Sequence, residues 1–204
     1  MLHKQILFAT NNPGKLTEIS KLLGALQYRV ISLADLGGFQ AQEVEETGST
    51  FRENALLKAA FFGQLSKLPT VADDSGLLVH CLDGFPGVNS NRWFKGSDSA
   101  RCEALLKKMS DKNERSATFV TVICFFEPLS GLVKYFEGRI GGQIAKTRAG
   151  DEGFGYDPLF IPQGYQQTFA QLGIAVKNQI SHRAIAMQKL LTFLETYSLE
   201  IDNK

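Results

Sequence analysis

Two neighbouring stretches constrain the fold of this chain more than any other feature. "SATFVTVICFFE" (116–127) and "GLVKYFEGRI" (131–140) are both rich in β-branched and aromatic residues, and only the segment from Pro128 to Gly131 joins their regular parts. Side chains of this kind suit the pleated, half-buried surface of a strand. Two such runs around a four-to-five-residue loop read as an antiparallel hairpin. A hairpin is not stable alone in water, so the chain is committed to a larger sheet with other elements packed on it.

The preceding half shows a different periodicity. Gln5 to Ala9 reads as a buried strand, and Leu16, Ile19, Leu22, Leu23 and Leu26 follow at helical spacing, giving a strand–loop–helix unit. A second helix is expected from Thr50, where Thr50-x-x-Glu53 fits a capping box, with Phe51, Ala55, Ala59 and Phe62 as its buried stripe. "PTVADDSG" reads as a short strand running into a loop, and "LLVHCL" as a separate strand. A helix is expected over roughly Ser99 to Met109, and a last one from Ser181, an N-cap residue type, through Leu190, Leu191 and Leu194. Alternating helices and strands followed by a long hairpin point to an α/β fold: a mixed sheet with flanking helices, in two lobes around a cleft where loops meet. No repeat, low-complexity tract or linker interrupts the 204 residues, which suit one two-lobed domain.

Composition excludes several classes of partner. Hydrophobic residues make up 44% and charged residues 21%, an ordinary soluble globular balance. With 22 basic and 21 acidic residues the net charge is +1, whereas a duplex-binding protein shows a basic excess. Cys81, Cys102 and Cys124 lack the paired spacing of a disulfide framework or zinc knuckle, so a reducing, cytoplasmic compartment is expected. The N-terminus does not read as a signal peptide and no apolar run reaches membrane-spanning length, so neither a nucleic acid nor a membrane is expected as partner.

The chemistry-bearing residues fall in the polar breaks between these elements. "FATNNPGK" (8–15) links the first strand to the first helix, where unsatisfied N–H groups at the positive dipole end attract anions. Thr10, Asn11 and Asn12 add donors and Lys15 a positive charge; equally, asparagine, Pro13 and Gly14 are what any tight strand-to-helix turn uses. The stretch lacks the G-x-x-x-x-G-K-[ST] pattern of a P-loop. In "VADDSG", Asp73 and Asp74 leave an apolar strand together, and neighbours on a strand point to opposite sides. Either one caps a turn while the other is solvated, or the pair serves Mg2+, which takes one or two carboxylates together with phosphates and water. Glu43, Glu45 and Glu46 precede the second helix, where acids complement the dipole. Lys58 on that helix either snorkels to water or offers phosphate a point charge.

Two further stretches complete the set. In "GFGYDP", Phe154 and Tyr156 form either a stacking surface for a planar base or a hydrophobic plug. Ser181-His182-Arg183 puts two basic residues at a helix start, against the dipole preference, as a ligand site would. No Ser-His-Asp spacing and no activated cysteine is evident. Cations and a helix N-terminus for phosphates, acids for a metal and an aromatic ring for a base together describe a nucleoside triphosphate site.

With those residues in view, the chain resembles the inosine triphosphate pyrophosphatase family, which removes non-standard purine nucleotides (dITP, ITP, XTP). The similarity runs from Ile6 to nearly Leu194 through "ATNNPGK", "EETGSTFRENALLKA", "ADDSGLLV", "GFPGVNSNRW", "GFGYDPLFIP", "TFAQL" and "KNQISHR" in fixed order. The resemblance implies that Thr10, Asn11, Asn12, Pro13, Gly14, Lys15, Lys58 and Lys177 hold the triphosphate, and that Glu46, with Glu45 beside it, and Asp74 bind Mg2+. It implies that Asp74 accepts the proton of the attacking water with Asp73 in support, and that Ser75 contacts substrate. Phe154, Gly155, Tyr156 and Asp157 would form the base platform, with His182 and Arg183 at the base edge. A homodimer with a long mixed sheet and two lobes around a central cleft is implied as well. Three departures stand out: Ser90-Asn91-Arg92-Trp93 where the family usually has Ser-Ala-Arg-Tyr, His80 where an acid is common, and "GIAV" before Lys177 where acids are usual. The competing expectations are a phosphatase or a pyrophosphatase for modified pyrimidine nucleotides on a related scaffold, and a non-catalytic nucleotide-binding module.

Overall fold

The computed structural model describes residues 4–10, 16, 28–37 and 44–202, with no side chain described beyond Tyr197. The expected helix from Leu16 to Leu26 and the loop residues Asn11, Asn12, Pro13, Gly14 and Lys15 lie outside these, apart from Leu16, which is helical. Glu43 lies outside them too.

The described elements are β1 (Lys4–Phe8), β2 (Tyr28–Ser32), α1 (Phe51–Ser66), β3 (Thr70–Val79), α2 (Asp98–Lys108), β4 (Ser116–Glu127), β5 (Leu132–Ile144), β6 (Phe160–Pro162), α3 (Phe169–Ile180) and α4 (His182–Asp202). The strands form one six-stranded sheet in the order β2-β1-β3-β4-β5-β6. β1 pairs in parallel with β2 (Ile6 opposite Val30) and with β3 (Leu7 opposite Thr70), whereas β5 pairs antiparallel with β6 (Gln143 opposite Ile161). β4 and β5 are sheet neighbours joined by residues 128–131 alone, a connection only an antiparallel hairpin allows. The sheet is therefore mixed and the fold α/β, as the sequence led us to expect.

The helix starts follow local chemistry. Thr50 Oγ1 accepts the Glu53 N–H at 3.1 Å, and Glu53 Oε2 accepts the Thr50 N–H at 3.1 Å, so the capping box of α1 closes in both directions. Phe51, Ala55, Ala59 and Phe62 are buried, and so is Asn54 on the same helix. Ser97 caps α2 through the Ala100 N–H, and Ser181 Oγ accepts the Ala184 N–H at the start of α4.

β3 differs from the sequence reading. It is one continuous strand through Asp73, Asp74, Ser75 and Gly76, not a strand, a loop and a second strand, and "HCL" forms a 3-10 turn. The local turn signal of Asp-Asp-Ser-Gly is overridden because the strand lies between β1 and β4, where its backbone groups find ladder partners. The sequence reading also omitted β2, β6 and α3. α3 is capped by Thr168, whose capping box with Gln171 was legible, but it is interrupted at Gly173 (φ 82°, ψ 165°), which hides its periodicity.

The chain divides into two compact units, the first of residues 1–74, 122–136 and 186–204 and the second of 75–121 and 137–185. The first has a core of Ile6, Phe8, Val71, Ile123 and Phe125 with Ala186, Leu190 and Leu194 of α4, whose i, i+4, i+8 spacing keeps them on one face. The core of the second includes Leu77, Val79, Leu105, Met109, Phe119, Ile144, Leu159, Phe160 and Phe169. Burial of each such large side chain contributes about 1.5–3 kcal/mol. Among the described residues no helix is long and apolar enough to cross a membrane.

Candidate functional site

In the first unit, α1 and β3 bring a lysine, an amide and acidic residues together. Lys58 Nζ donates to Glu46 Oε1 at 2.5 Å and to the Asp73 carbonyl at 2.6 Å. Lys58 and Glu46 are each about one-fifth exposed, so the pair is only partly screened by water. Asp73 and Asp74 are buried, and Asn54 Nδ2 donates to Asp74 Oδ2 at 3.0 Å. Asn54 is itself fully buried, and its Oδ1 accepts the Gly48 N–H at 2.8 Å. Because an amide oxygen accepts and its nitrogen donates, the Gly48 contact fixes which end of Asn54 faces Asp74. Glu45 is exposed and Thr10 half-buried. Among the described residues no three His, Cys, Asp or Glu side chains are grouped so as to hold a metal ion by themselves. A hard cation bound by one or two carboxylates needs oxygens from elsewhere, which phosphates and water supply.

In the second unit, a glycine-rich loop presents a ring and cations collect against it. Phe154 is 47% exposed, and its ring centroid lies 4.2 Å from Lys177 Nζ and 4.7 Å from Arg183 Cζ, both within cation–π range. Lys177 is buried and ion-paired with the buried Asp157. The same Asp157 carboxylate accepts the Phe154 N–H at 2.9 Å. Gly153 is required here: at φ +83° it adopts a left-handed conformation, and a Cβ on it would meet Asp157 Oδ2 at 2.3 Å. The Arg183 Nε is buried with no hydrogen-bond partner among the described residues.

Tyr156 has a different position from Phe154. It is 3% exposed, and its hydroxyl donates to the Ser90 carbonyl at 2.8 Å and accepts the Trp93 indole N–H at 2.6 Å. Burial pushes the Tyr156 phenol up to about 12, with the Trp93 contact pulling the other way. His182 is buried and stacks on Phe119, with centroids 4.7 Å apart and planes 7° from parallel. Ser75 is half-buried, and its hydroxyl hydrogen-bonds that of Thr121 at 2.8 Å. Gly155 is tethered to α2: Asp98 Oδ2 accepts its N–H at 2.6 Å, and Cys102 Sγ donates to its carbonyl at 3.3 Å.

A sequence model of the Ham1 family matches residues 6–193. The chain belongs to the Ham1 family. It is 42% identical over 197 residues to the dITP/XTP pyrophosphatase of Oceanobacillus iheyensis, covering 95% of this chain and 99% of that protein. It is 39% identical over 202 residues to the protein of the same name from Aquifex aeolicus, covering 94% and 96%. Among solved structures, the Ham1 protein of Staphylococcus aureus superimposes with a TM-score of 0.88 at 41% identity, covering 95% of this chain and all of that one. The HAM1 protein of Coxiella burnetii gives 0.88 at 38% identity, covering 94% and 98%.

The sequence reading of this Ham1-family chain missed Asn54, although a signal was present. An asparagine on the buried face of an amphipathic helix must find partners, and a polar residue there marks a contact that the apolar stripe alone does not explain. It also missed Ser90, Trp93, Asp98 and Cys102 as supports of the 153–157 loop, because nothing local links them to it.

Proposed function

We propose that this chain hydrolyses non-standard purine nucleoside triphosphates (dITP, ITP, XTP) to the monophosphate and pyrophosphate, clearing them from the nucleotide pool. Kinship to proteins named dITP/XTP pyrophosphatase, matched over nearly their whole length, supports the substrate class. The single observation that carries the chemistry is the Asp74 carboxylate, buried and oriented by the Asn54 amide, next to Asp73, whose carbonyl accepts from Lys58. In this reading residues 1–204 work as one pyrophosphatase domain with two lobes, acting in the cytoplasm as a homodimer.

Asp74 accepts the proton of the attacking water, and Asp73 supports it. A carboxylate held by an amide N–H keeps a fixed direction toward the proton it takes. Thr10, Asn11, Asn12, Pro13, Gly14 and Lys15 hold the triphosphate, with Lys58 as a further cation and Ser75 as a substrate contact. The metal in this reading is Mg2+, held by Glu46, with Glu45 beside it, and Asp74. The donor set fits a hard cation, since the Glu46 carboxylate and the Asp73 carbonyl already converge on one ammonium group. When bound, the ion supplies charge neutralisation on the phosphate oxygens.

Phe154 stacks the base. Gly155, Tyr156 and Asp157 shape its loop, Tyr156 from inside the core. Lys177 was expected among the phosphate ligands; its pairing with Asp157 and its approach to Phe154 favour a place at the base instead. His182 and Arg183 complete the base edge. The Arg183 Nε, buried with no hydrogen-bond partner among the described residues, suits a base that presents an acceptor oxygen. Adenine would present an amino donor to a donor, a mismatch that costs the desolvation of both groups.

The test is kcat/KM for ITP, XTP, GTP and ATP with Mg2+, together with the first phosphate product released. ITP and XTP are expected to exceed ATP by about 10²-fold or more, with pyrophosphate released first. Equal values for the four nucleotides overturn the reading. Orthophosphate as the first product indicates a phosphatase, and tight ITP binding without turnover indicates a binding module.

A further inference from the structure

We propose that Asp98 and Cys102 on α2 are positioning residues for the Phe154 ring, acting through the backbone of Gly155. The proposal rests on the reading above that Phe154 stacks the purine. Asp98 Oδ2 takes the Gly155 N–H at 2.6 Å and the Cys102 thiol gives to the Gly155 carbonyl at 3.3 Å. Residues four apart share a helix face, so one face of α2 holds both backbone polar groups of a single residue. That residue directly follows the ring.

Gly155 needs holding. Its φ of +63° lies in the left-handed region, yet a Cβ there would meet no atom within 4 Å. Glycine is therefore present for conformation, not for space, and glycine also has the most backbone freedom to lose. Phe154 is about half exposed and is not a member of the buried core of its unit. Besides Lys177 and Arg183, which lie over the ring, its direction thus depends on its own backbone, fixed on one side by Asp157 and on the other by α2.

The two tethers are built to last. Asp98 uses its other oxygen to accept from Arg101 at 3.0 Å, and Arg101 is buried and also reaches Asn91 Oδ1 at 3.4 Å. Cys102 is fully buried, and burial pushes its thiol up to about 11, so near neutrality it carries the proton that it donates. A simpler account exists for each residue alone: an acid in a first helical turn complements the dipole, and a buried cysteine fills space. Neither explains why both side chains end on Gly155.

A double-mutant cycle with ITP as substrate separates the two accounts. Asp98→Ala is expected to raise KM about tenfold, and Cys102→Ala about threefold, with kcat changed less than about twofold. Asp98→Asn and Cys102→Ser, which keep an acceptor and a donor, are expected to recover most of the loss. In a Phe154→Ala background, Asp98→Ala and Cys102→Ala are expected to add nothing, because the ring they position is gone. An unchanged KM, or the same loss in both backgrounds, overturns the proposal. Where Asp98→Ala does not fold, the Cys102 arm of the cycle decides by the same criteria. If the wild-type chain does not turn over ITP, the function proposed above fails; if it does and Phe154→Ala raises KM while the α2 variants do not, this inference alone fails.

Discussion

In the first unit, Asn54, Lys58, Asp73 and Asp74 all stand on regular elements: two on a helix whose start is fixed by a closed capping box, and two on a central strand. In the second, Phe154, Gly155, Tyr156 and Asp157 stand on a glycine-rich loop with no regular structure of its own. The loop is held by side chains from elsewhere: Asp98 and Cys102 on α2, Lys177 on α3, and Trp93. Periodicity aims the first group, since a helix face and a strand face have fixed directions. Tertiary tethers aim the second. Substitutions in the first cluster should therefore remove chemistry and spare the fold, whereas substitutions around the loop should disturb stability and base recognition together.

The sharpest way to break that contrast is Asp74→Asn. It keeps the shape of the side chain and removes the proton acceptor, so turnover is expected to fall about 10²- to 10⁴-fold while the melting temperature stays close to wild type. Steady-state kinetics alongside calorimetry would show it; near-normal turnover would end the assignment of the chemistry to the first unit. The complementary change is Lys177→Met, which strands the Asp157 carboxylate in a buried position. A loss of about 3–5 kcal/mol of stability is expected in urea unfolding, with much of it restored when Asp157→Asn is added. A stable single variant would show that the loop does not depend on this tether.

The smallest effect is alkaline. The fold favours the neutral form of the Tyr156 phenol, burial raising it from its ordinary value of 10 to about 12. Between those values the unfolded chain has lost the proton and the folded chain has kept it, so stability falls as pH rises. The contribution is fully present below pH 10 and is lost as pH passes through about 12. Cys102 acts in the same direction from 9 to about 11. Melting temperatures between pH 8 and 11.5 should decline less steeply in Tyr156→Phe than in wild type. The remaining slope comes in part from the first-unit groups Cys124 and Tyr135, which burial also raises. An identical slope in the variant would mean that the hydroxyl is not as enclosed as its two hydrogen bonds indicate.

Much of this architecture was legible because it is written over short distances. The hairpin of β4 and β5 follows from two β-branched, aromatic runs around one turn. The start of α1 follows from Thr50 and Glu53, three positions apart, and the start of α4 from Ser181. The candidate site residues were legible as residue types in polar breaks, and the resemblance ordered them. The division of labour within "GFGYDP" was not. Phe154 and Tyr156 look alike in sequence, yet one ring is half exposed and the other is 3% exposed with its hydroxyl engaged twice.

By itself, then, the sequence determined the α/β class, the capping of α1 and α4, the hairpin, and which acids, cations and aromatics are available for chemistry. Each of these depends on side chains within a few positions of one another, where propensity and periodicity act. The tertiary structure decided that β3 runs unbroken through Asp73–Gly76, because its sheet neighbours satisfy a backbone that local signals would have turned. It also decided that Asn54 orients Asp74 across 20 residues and that α2 holds Gly155 across 53 and 57. Contacts at such separations form only once the chain is folded, since a buried polar group is then compelled to find a partner and the sequence does not say which one is near.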